Sequence, residues 1–410
     1  MLQSIPLEKA LQILHEFSAP RGIEEIAVAE AFGRILAEDI IAGFPLPPFN
    51  RSPLDGYALM AEDTFSAAKD NPVRLKLTQT VYAGELPSAP VIKGETTAIT
   101  TGAPLPSGTN AIIKFEDIKK DGDYILIFSP LKPGDNFVPA GEDVVEGEKI
   151  LVIGEKITPA SLGLLVSLGR GTVKVFRKPR IAVFSCGDEL LDIGQPRQTG
   201  KIYNSNLYAI TAQITEAGGL AVPIKSVPDD KNKIASALNQ ALQENDLVIT
   251  TGGVSVGEKD YVKEAIKISN INTLFWKVGM KPGTPAVCGE RDGQLVIGLS
   301  GNPAASMITF VLLARPIIQS ICGKKGENLP EVKAVMDVPF KKKSGQRRFM
   351  RAVLTWKDGI YHAAPAGIQS PGALKSMLQC NALIDIPKGH GPLDIGDEVK
   401  ALLLPEGYCM

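Results

Sequence analysis

The sequence predicts a multidomain α/β plus β protein. A doubly wound, mostly parallel α/β domain is expected over residues 179–327 and a C-terminal β-barrel or sandwich over 328–410. A small β-rich domain is inserted over 45–138, between the halves (1–44 and 139–178) of a discontinuous helical domain. Three observations predict this. Strand-like and helix-like runs alternate from Arg180 to Cys322, the pattern of a parallel sheet covered on both faces. Short apolar runs separated by Gly and Pro fill 45–138 and return after Glu331. At 410 residues the chain is longer than one hydrophobic core usually serves.

Taken in order, Leu7, Ala10, Leu11, Leu14 and Phe17 repeat at helical spacing, as do Val28, Phe32, Ile35, Leu36 and Ile40. Pro45-Leu46-Pro47-Pro48 cannot continue a helix. Phe49 to Ala58 follows, with Asp55-Gly56 as a turn signal. That turn is either an ordinary entry into a strand or a loop that presents the Asp55 carboxylate. Strands are expected at Val73–Val81, Val91–Thr101, Ala111–Phe115 and Tyr124–Phe128, with the hydroxyl of Thr101 on a turn. Gly141-Glu142-Asp143 sets two carboxylates where the chain returns from the insertion. Thr158-Pro159 is an N-cap followed by a first-turn proline, so a helix should run from there to Gly169.

In the α/β region the strands read Ile181–Ser185, Ala221–Val227, Leu247–Thr251, Thr273–Val278, Ala286–Cys288 and Leu295–Leu299, with a helix from Pro303 to about Cys322. Leu247–Thr251 is apolar and β-branched, as a strand buried on both faces should be. Gly252 and Gly253 then let the backbone turn sharply, and Ser255 and Asp260 lead into a helix. Such a strand, glycine turn and helix start leave amide groups for a phosphate or oxyanion. Gly301-Asn302-Pro303 is a second glycine turn, explicable as helix capping or as another anion cradle. In a sheet of this kind ligands bind beyond the carboxyl ends of the strands.

Composition narrows the chemistry. A formal net charge of −1 argues against a general nucleic-acid binder. No apolar stretch approaches the roughly 20 residues needed to span a bilayer, and Met1 to Pro6 lacks the layout of a signal peptide. A cytoplasmic protein without a membrane partner is expected. Five cysteines without a C-x-x-C pair and three scattered histidines argue against a disulfide framework, a zinc site or a Cys-His or Ser-His-Asp catalyst. Instead Asp55, Asp143, Asp188, Glu189, Asp229, Asp230 and Asp260 fall on expected turns. Carboxylates beside a phosphate cradle repel the ligand unless a cation intervenes, which implies Mg²⁺. Lys277 and Lys281 add positive charge for an anionic substrate. The expected reaction is metal-assisted transfer or hydrolysis at a phosphate.

At these residues the chain resembles the MoeA family of molybdopterin molybdenumtransferases, also related to the E domain of gephyrin. The resemblance rests on Pro47 to Ala58, Thr101-Gly102-Ala103-Pro104, Gly141-Glu142-Asp143, Thr250 to Gly257, Asp260-Tyr261, Met280-Lys281-Pro282-Gly283 and Gly301-Asn302-Pro303, in order along nearly the whole chain. It implies insertion of molybdate into adenylylated molybdopterin, with Mg²⁺-dependent release of AMP. It also implies a homodimer whose active cleft lies between subunits, and a molybdopterin adenylyltransferase as pathway partner. Asp55, Asp143, Glu189, Asp260, Lys277 and Lys281 would then be catalytic, with Glu189 and Asp260 at the metal. Thr101, Asp229, Gly252, Gly253, Ser255, Gly301, Asn302, Pro303 and Arg351 would hold the pterin nucleotide or the oxyanion. Val138, Pro371 and Lys375 depart from the family pattern, which commonly has Arg, Ser and Ser there. An adenylyltransferase of the same α/β type and a gephyrin-like scaffold are the competing readings.

Overall fold

A computed structural model describes residues 2–254, 261–325, 328–343 and 345–405. Ser255 and Asp260 lie outside the described residues. All five residues of Leu247–Thr251 are buried, as the β-branched run requires. This strand runs parallel to Arg180–Ser185 on one side and to Gln294–Leu299 on the other. Across the seven-stranded sheet the order is Leu2–Ile5, Asn272–Val278, Val287–Arg291, Gln294–Leu299, Leu247–Thr251, Arg180–Ser185, Leu220–Pro223. Only Val287–Arg291 runs antiparallel to its neighbours.

From Arg180–Ser185 the chain steps outward to the edge strand Leu220–Pro223 and then crosses back to Leu247–Thr251. The winding therefore reverses between Arg180–Ser185 and Leu247–Thr251, and a crevice opens at their carboxyl ends. Ser205–Glu216 and Pro303–Ile321 cover one face of the sheet through Ile210, Ile214, Ile308 and Ile317. Lys231–Glu244 and Tyr261–Ile268 cover the other through Ile234, Leu238, Val262 and Ile266.

Pro303–Ile321 corrects one expectation. It is 19 residues long and apolar enough, by length and composition, to cross a membrane, yet 89% of its apolar window is buried inside the protein. Its turn Phe310–Ala314 is π-helical; Pro316 just beyond has no N–H to continue an α-helical ladder.

The helical reading of the first forty residues holds only in part. Leu7–His15 is a helix, but Leu7, Ala10 and Leu14 pack into the same core as Ile181 and Ile249. Leu2–Ile5 before it joins the large sheet beside Asn272–Val278. The helix expected over Val28–Ile40 is absent, apart from a 3-10 turn at Val28–Glu30. Ile23–Ala27 instead pairs antiparallel with Thr172–Phe176, and Gly33, at φ +75°, donates its N–H to Ile157. Pro159–Ser167 is helical as expected, with a reciprocal capping box between Thr158 and Ser161, and it shares a core with Val28, Leu36 and Ile40.

The insertion is a six-stranded sheet ordered Ala111–Lys114, Gly56–Leu59, Glu95–Ile99, Val73–Val81, Tyr124–Ile127, Ile118–Asp121. At the C-terminal end Arg347–Lys357 pairs with both Ile360–Pro365 and Ala382–Ile386. Glu331–Met336 and Glu398–Leu403 complete the ring. The result is a closed barrel, which removes exposed strand edges. The short strand Met280–Lys281 pairs onto it in parallel and ties it to the α/β domain.

Candidate functional site

Ser185 and Thr251 end adjacent strands in register, so the next residues of both strands open the crevice. Gly252 stands at φ +81°, and a Cβ there would lie 2.4 Å from the Cys186 carbonyl oxygen. From the other side, a Cβ on Gly301 would lie 3.3 Å from the Gly252 Cα. Only glycine allows this approach. Gly253, at φ +67°, lies tight against Val262. A narrow cleft of about 30 Å³ results, bordered by Cys186, Glu189, Asn204, Gly252, Gly301 and Pro303 among others.

Buried polar groups line its floor. The Ser185 hydroxyl donates to Asn204 Oδ1 at 2.8 Å and lies 2.9 Å from Thr251 Oγ1. Asn204 Oδ1 also accepts the Leu207 N–H and so caps the helix Ser205–Glu216. Asn206 Nδ2 donates to the Gly301 carbonyl at 2.8 Å, linking the helix start to the second glycine turn. Asn204 Nδ2 and Asn206 Oδ1 are buried and have no hydrogen-bond partner among the described residues. A buried donor left unpaired costs about 1–3 kcal/mol, so Asn204 has hydrogen-bonding capacity to offer a ligand. The sequence reading missed Ser185, Asn204 and Asn206. The Asn-Ser-Asn run before an apolar helix was their one signal, and it is indistinguishable from ordinary capping.

Burial pushes the Cys186 thiol up to about 12, and the nearby charges of Asp229 and Glu189 push in the same direction. The cleft therefore presents hard oxygen donors and a thiol that stays protonated. The Asp229 N–H donates to Asp188 Oδ1 at 3.2 Å, which fixes this acidic turn. Among the described residues no group of three or more His, Cys, Asp or Glu side chains could hold a metal ion alone. Mg²⁺ needs only one or two carboxylates when phosphate oxygens supply the rest. Glu189 borders the cleft, and the charge of Asp229 is felt at Cys186 beside it.

A second constellation forms on the inserted domain. Asp55 Oδ1 accepts the Thr101 N–H at 2.7 Å and the Thr101 hydroxyl at 2.9 Å. These bonds hold its carboxyl below the ordinary aspartate range, the backbone donor contributing most. The loop beneath is laced on both sides. Leu105 N–H donates to Asn50, Arg51 and Val138 exchange backbone bonds, and Gly141 and Asp143 donate to Pro47 and Leu46. Asp55 and Thr101 thus form one exposed ridge; Asp143, also exposed, is tied through Leu46 to the start of the same loop, and Val138 is bridged to Arg51 within it. None of them borders the cleft.

The remaining expected residues divide. Lys277 sits at φ +66°, uncommon for a side-chain-bearing residue, and its N–H donates to Ala286. Gly283, four residues before Val287–Arg291, is pressed on the long helix, since a Cβ there would lie 1.9 Å from Thr309 Oγ1. Lys281 is exposed, and neither lysine borders the cleft. Arg351 is buried in the barrel, where its Nη2 donates to the carbonyls of Ile368 and Ser370 at 2.9 Å. It holds the 368–372 loop; Pro371 of that loop accepts the Ala305 N–H at 3.0 Å. The Asn302 side chain makes no capping bond. Two amides of the expected anion cradles are therefore already paired, Ala305 with Pro371 and Gly252 with Leu299.

Three family models match in succession: the MoeA N-terminal region (domain I and II) at residues 5–169, a probable molybdopterin binding domain at 182–320, and the MoeA C-terminal region (domain IV) at 333–404. The molybdopterin molybdenumtransferase of Bacillus subtilis is 34% identical over 98% of this chain and 94% of its own length. The chain belongs to the MoeA family. That of Staphylococcus aureus (strain MRSA252) is 33% identical over 97% and 95%. Two crystal structures of the MoeA protein of Pyrococcus horikoshii superpose with TM-scores of 0.86 and 0.83. Their identities are 33% and 31%, and they cover 98% of this chain and 99% and 100% of theirs. This MoeA-family chain is a transferase with a role in molybdenum cofactor biosynthesis.

Proposed function

We propose that the protein inserts molybdenum from molybdate into adenylylated molybdopterin, releasing AMP in a Mg²⁺-dependent reaction. The observation that carries this reading is the cleft at the winding reversal, where two glycine turns, the unpaired Nδ2 of Asn204 and the Glu189 carboxylate meet. Bare glycine backbone admits the phosphate bridge closely, while Asn204 Nδ2 donates to a ligand oxygen and fixes its orientation. Glu189 and Asp229 would hold Mg²⁺, which when bound offsets phosphate charge against the carboxylates. Ser255 and Asp260 keep their expected roles at the nucleotide and metal, and Lys277 and Lys281 at the oxyanion.

Asp55 and Thr101 act from the ridge, and Asp143 from where it is tied to the same loop. An elongated homodimer whose cleft takes the ridge of the second copy accounts for why a preorganised, exposed carboxylate lies apart from the cleft in its own chain. A cytoplasmic setting and a molybdopterin adenylyltransferase that supplies the substrate complete the proposal. The test supplies adenylylated molybdopterin, molybdate and Mg²⁺ and measures AMP release and active cofactor. Wild type should turn over, whereas Glu189→Gln should lose roughly 100-fold. Adenylylation of molybdopterin from ATP by this protein alone, without insertion, would replace the insertase by an adenylyltransferase.

A further inference from the structure

We propose that a second cavity, at the far ends of two helices that border the cleft, binds a phosphate monoester carrying an aromatic ring, the class of a nucleoside monophosphate. The cavity has a volume of about 410 Å³, within the usual size range of small-molecule sites. It lies between the N-terminal region, which contributes Phe32–Ile35 and Phe176, and the α/β domain. The helices Ser205–Glu216 and Pro303–Ile321 supply its other wall through Thr215, Glu216, Arg315 and Gln319. Pro303 borders the cleft and Arg315 the cavity, and the twelve helical steps from one to the other span about 18 Å. The two sites are separate.

Charge selects the ligand. Among the described residues Arg34, Lys156, Lys178, Arg315 and Lys324 line the cavity, against the carboxylate of Glu216. This stands out in a chain whose formal net charge is −1. Glu24 pairs with Arg34 and Glu216 with Arg315. The two helix C-termini bring about half a negative charge each. Lys156 and Lys178 outweigh that charge, which suits an anionic phosphate monoester. The cations converge: burial pushes the Cys322 thiol up to about 12, while Lys178, Arg34 and Lys324 pull it back.

Shape and polarity add the ring. Phe32 stands 61% exposed beside these cations, and Phe176 forms the adjoining wall, so an apolar face awaits a planar group. Gln319 is 4% exposed, and its Oε1 has no hydrogen-bond partner among the described residues. A ring substituent with an N–H would satisfy it.

Isothermal titration calorimetry with AMP as the probe tests the assignment on the full chain. Because AMP is also the product proposed for the cleft, the titration is repeated with Asn204→Ala to weaken that site. AMP should still bind Asn204→Ala, and Lys156→Gln/Lys178→Gln added to it should weaken that binding at least tenfold. Both lysines are exposed, so the fold should survive, as circular dichroism would show. A second variant, Phe32→Ala, should weaken AMP several-fold and leave inorganic phosphate unchanged. The proposal is overturned if AMP fails to bind Asn204→Ala, or if the lysine substitutions leave its affinity as it was. Inorganic phosphate binding as tightly as AMP would equally overturn the ring-bearing ligand.

Discussion

The cleft and the Asp55 ridge reach preorganisation by opposite means. In the cleft, backbone meets backbone: Gly252 is wedged between the Cys186 carbonyl and Gly301, and the polar groups below are almost fully buried. On the ridge a single exposed carboxylate is aimed by two bonds from Thr101, over a loop tied down by its neighbours. Shape in the first case depends on atoms that are missing; in the second it depends on donors that are present. A substitution at the glycine turns of the cleft should therefore damage fold and function together, whereas one on the ridge should separate them.

Gly252→Ala should produce the largest effect. A left-handed backbone costs about 1–2 kcal/mol for a residue with a Cβ, and overpacking against the Cys186 carbonyl adds about 1–3 kcal/mol. Urea unfolding should show a loss of about 3 kcal/mol, with AMP release reduced to background. Normal stability with lost activity would mean that the close approach is not a packing constraint.

Asp55→Ala should lower AMP release roughly 100-fold at saturating substrate, the size of a missing acid–base or positioning carboxylate. The melting temperature should fall only slightly, because the side chain is exposed and gives up just its two bonds from Thr101. The same carboxylate gives a pH signature. Its pKa is lower folded than unfolded, so its contribution to stability is complete above the ordinary aspartate value. That contribution is lost as pH falls through the depressed folded value. A carboxyl NMR titration should find Asp55 still ionised below the ordinary aspartate value, and Thr101→Val should move it part of the way back up.

Subunit mixing sharpens the comparison further. If ridge and cleft meet across a dimer, Asp55→Ala mixed with Glu189→Gln should form heterodimers in which one of the two sites is intact. Equal, random exchange should restore roughly a quarter of wild-type AMP release. Mixtures no more active than their components would place both groups in the service of separate reactions or of one chain.

Legibility in the sequence followed the same division. Leu247–Thr251 and its glycine turn were readable because a β-branched run ending in glycines has few other solutions. Asp55-Gly56 was readable as a turn, but its tie to Thr101 spans 46 positions and leaves no local trace. Val28–Ile40 carried helical spacing, yet Ile23–Ala27 found a strand partner at Thr172–Phe176 and the backbone followed. Tertiary pairing there overrode a periodic pattern. Leu2–Ile5 was missed for a similar reason, since its partner Asn272–Val278 lies at the other end of the domain. Arg351 was assigned to the pterin nucleotide or the oxyanion by resemblance alone. It is buried, and its Nη2 donates to carbonyls of the 368–372 loop. Asn204 failed in the reverse direction: its capping role was foreseeable, and the unpaired Nδ2 on its other side was not.

The smallest effect separates two kinds of chemistry in the cleft. Cys186 borders the same space as Glu189 and would be the obvious nucleophile or soft ligand there. With its thiol pushed up to about 12, the thiolate fraction at pH 8 is roughly one in 10⁴. Iodoacetamide should leave Cys186 unmodified in the folded protein. Cys186→Ala removes one sulfur from a packed wall, which costs about 1 kcal/mol, and AMP release should stay within about twofold of wild type. A loss beyond tenfold with the fold intact would assign the sulfur a part in the reaction. The oxygen donors of Glu189 and Asp229 would then no longer suffice to explain how the cleft works.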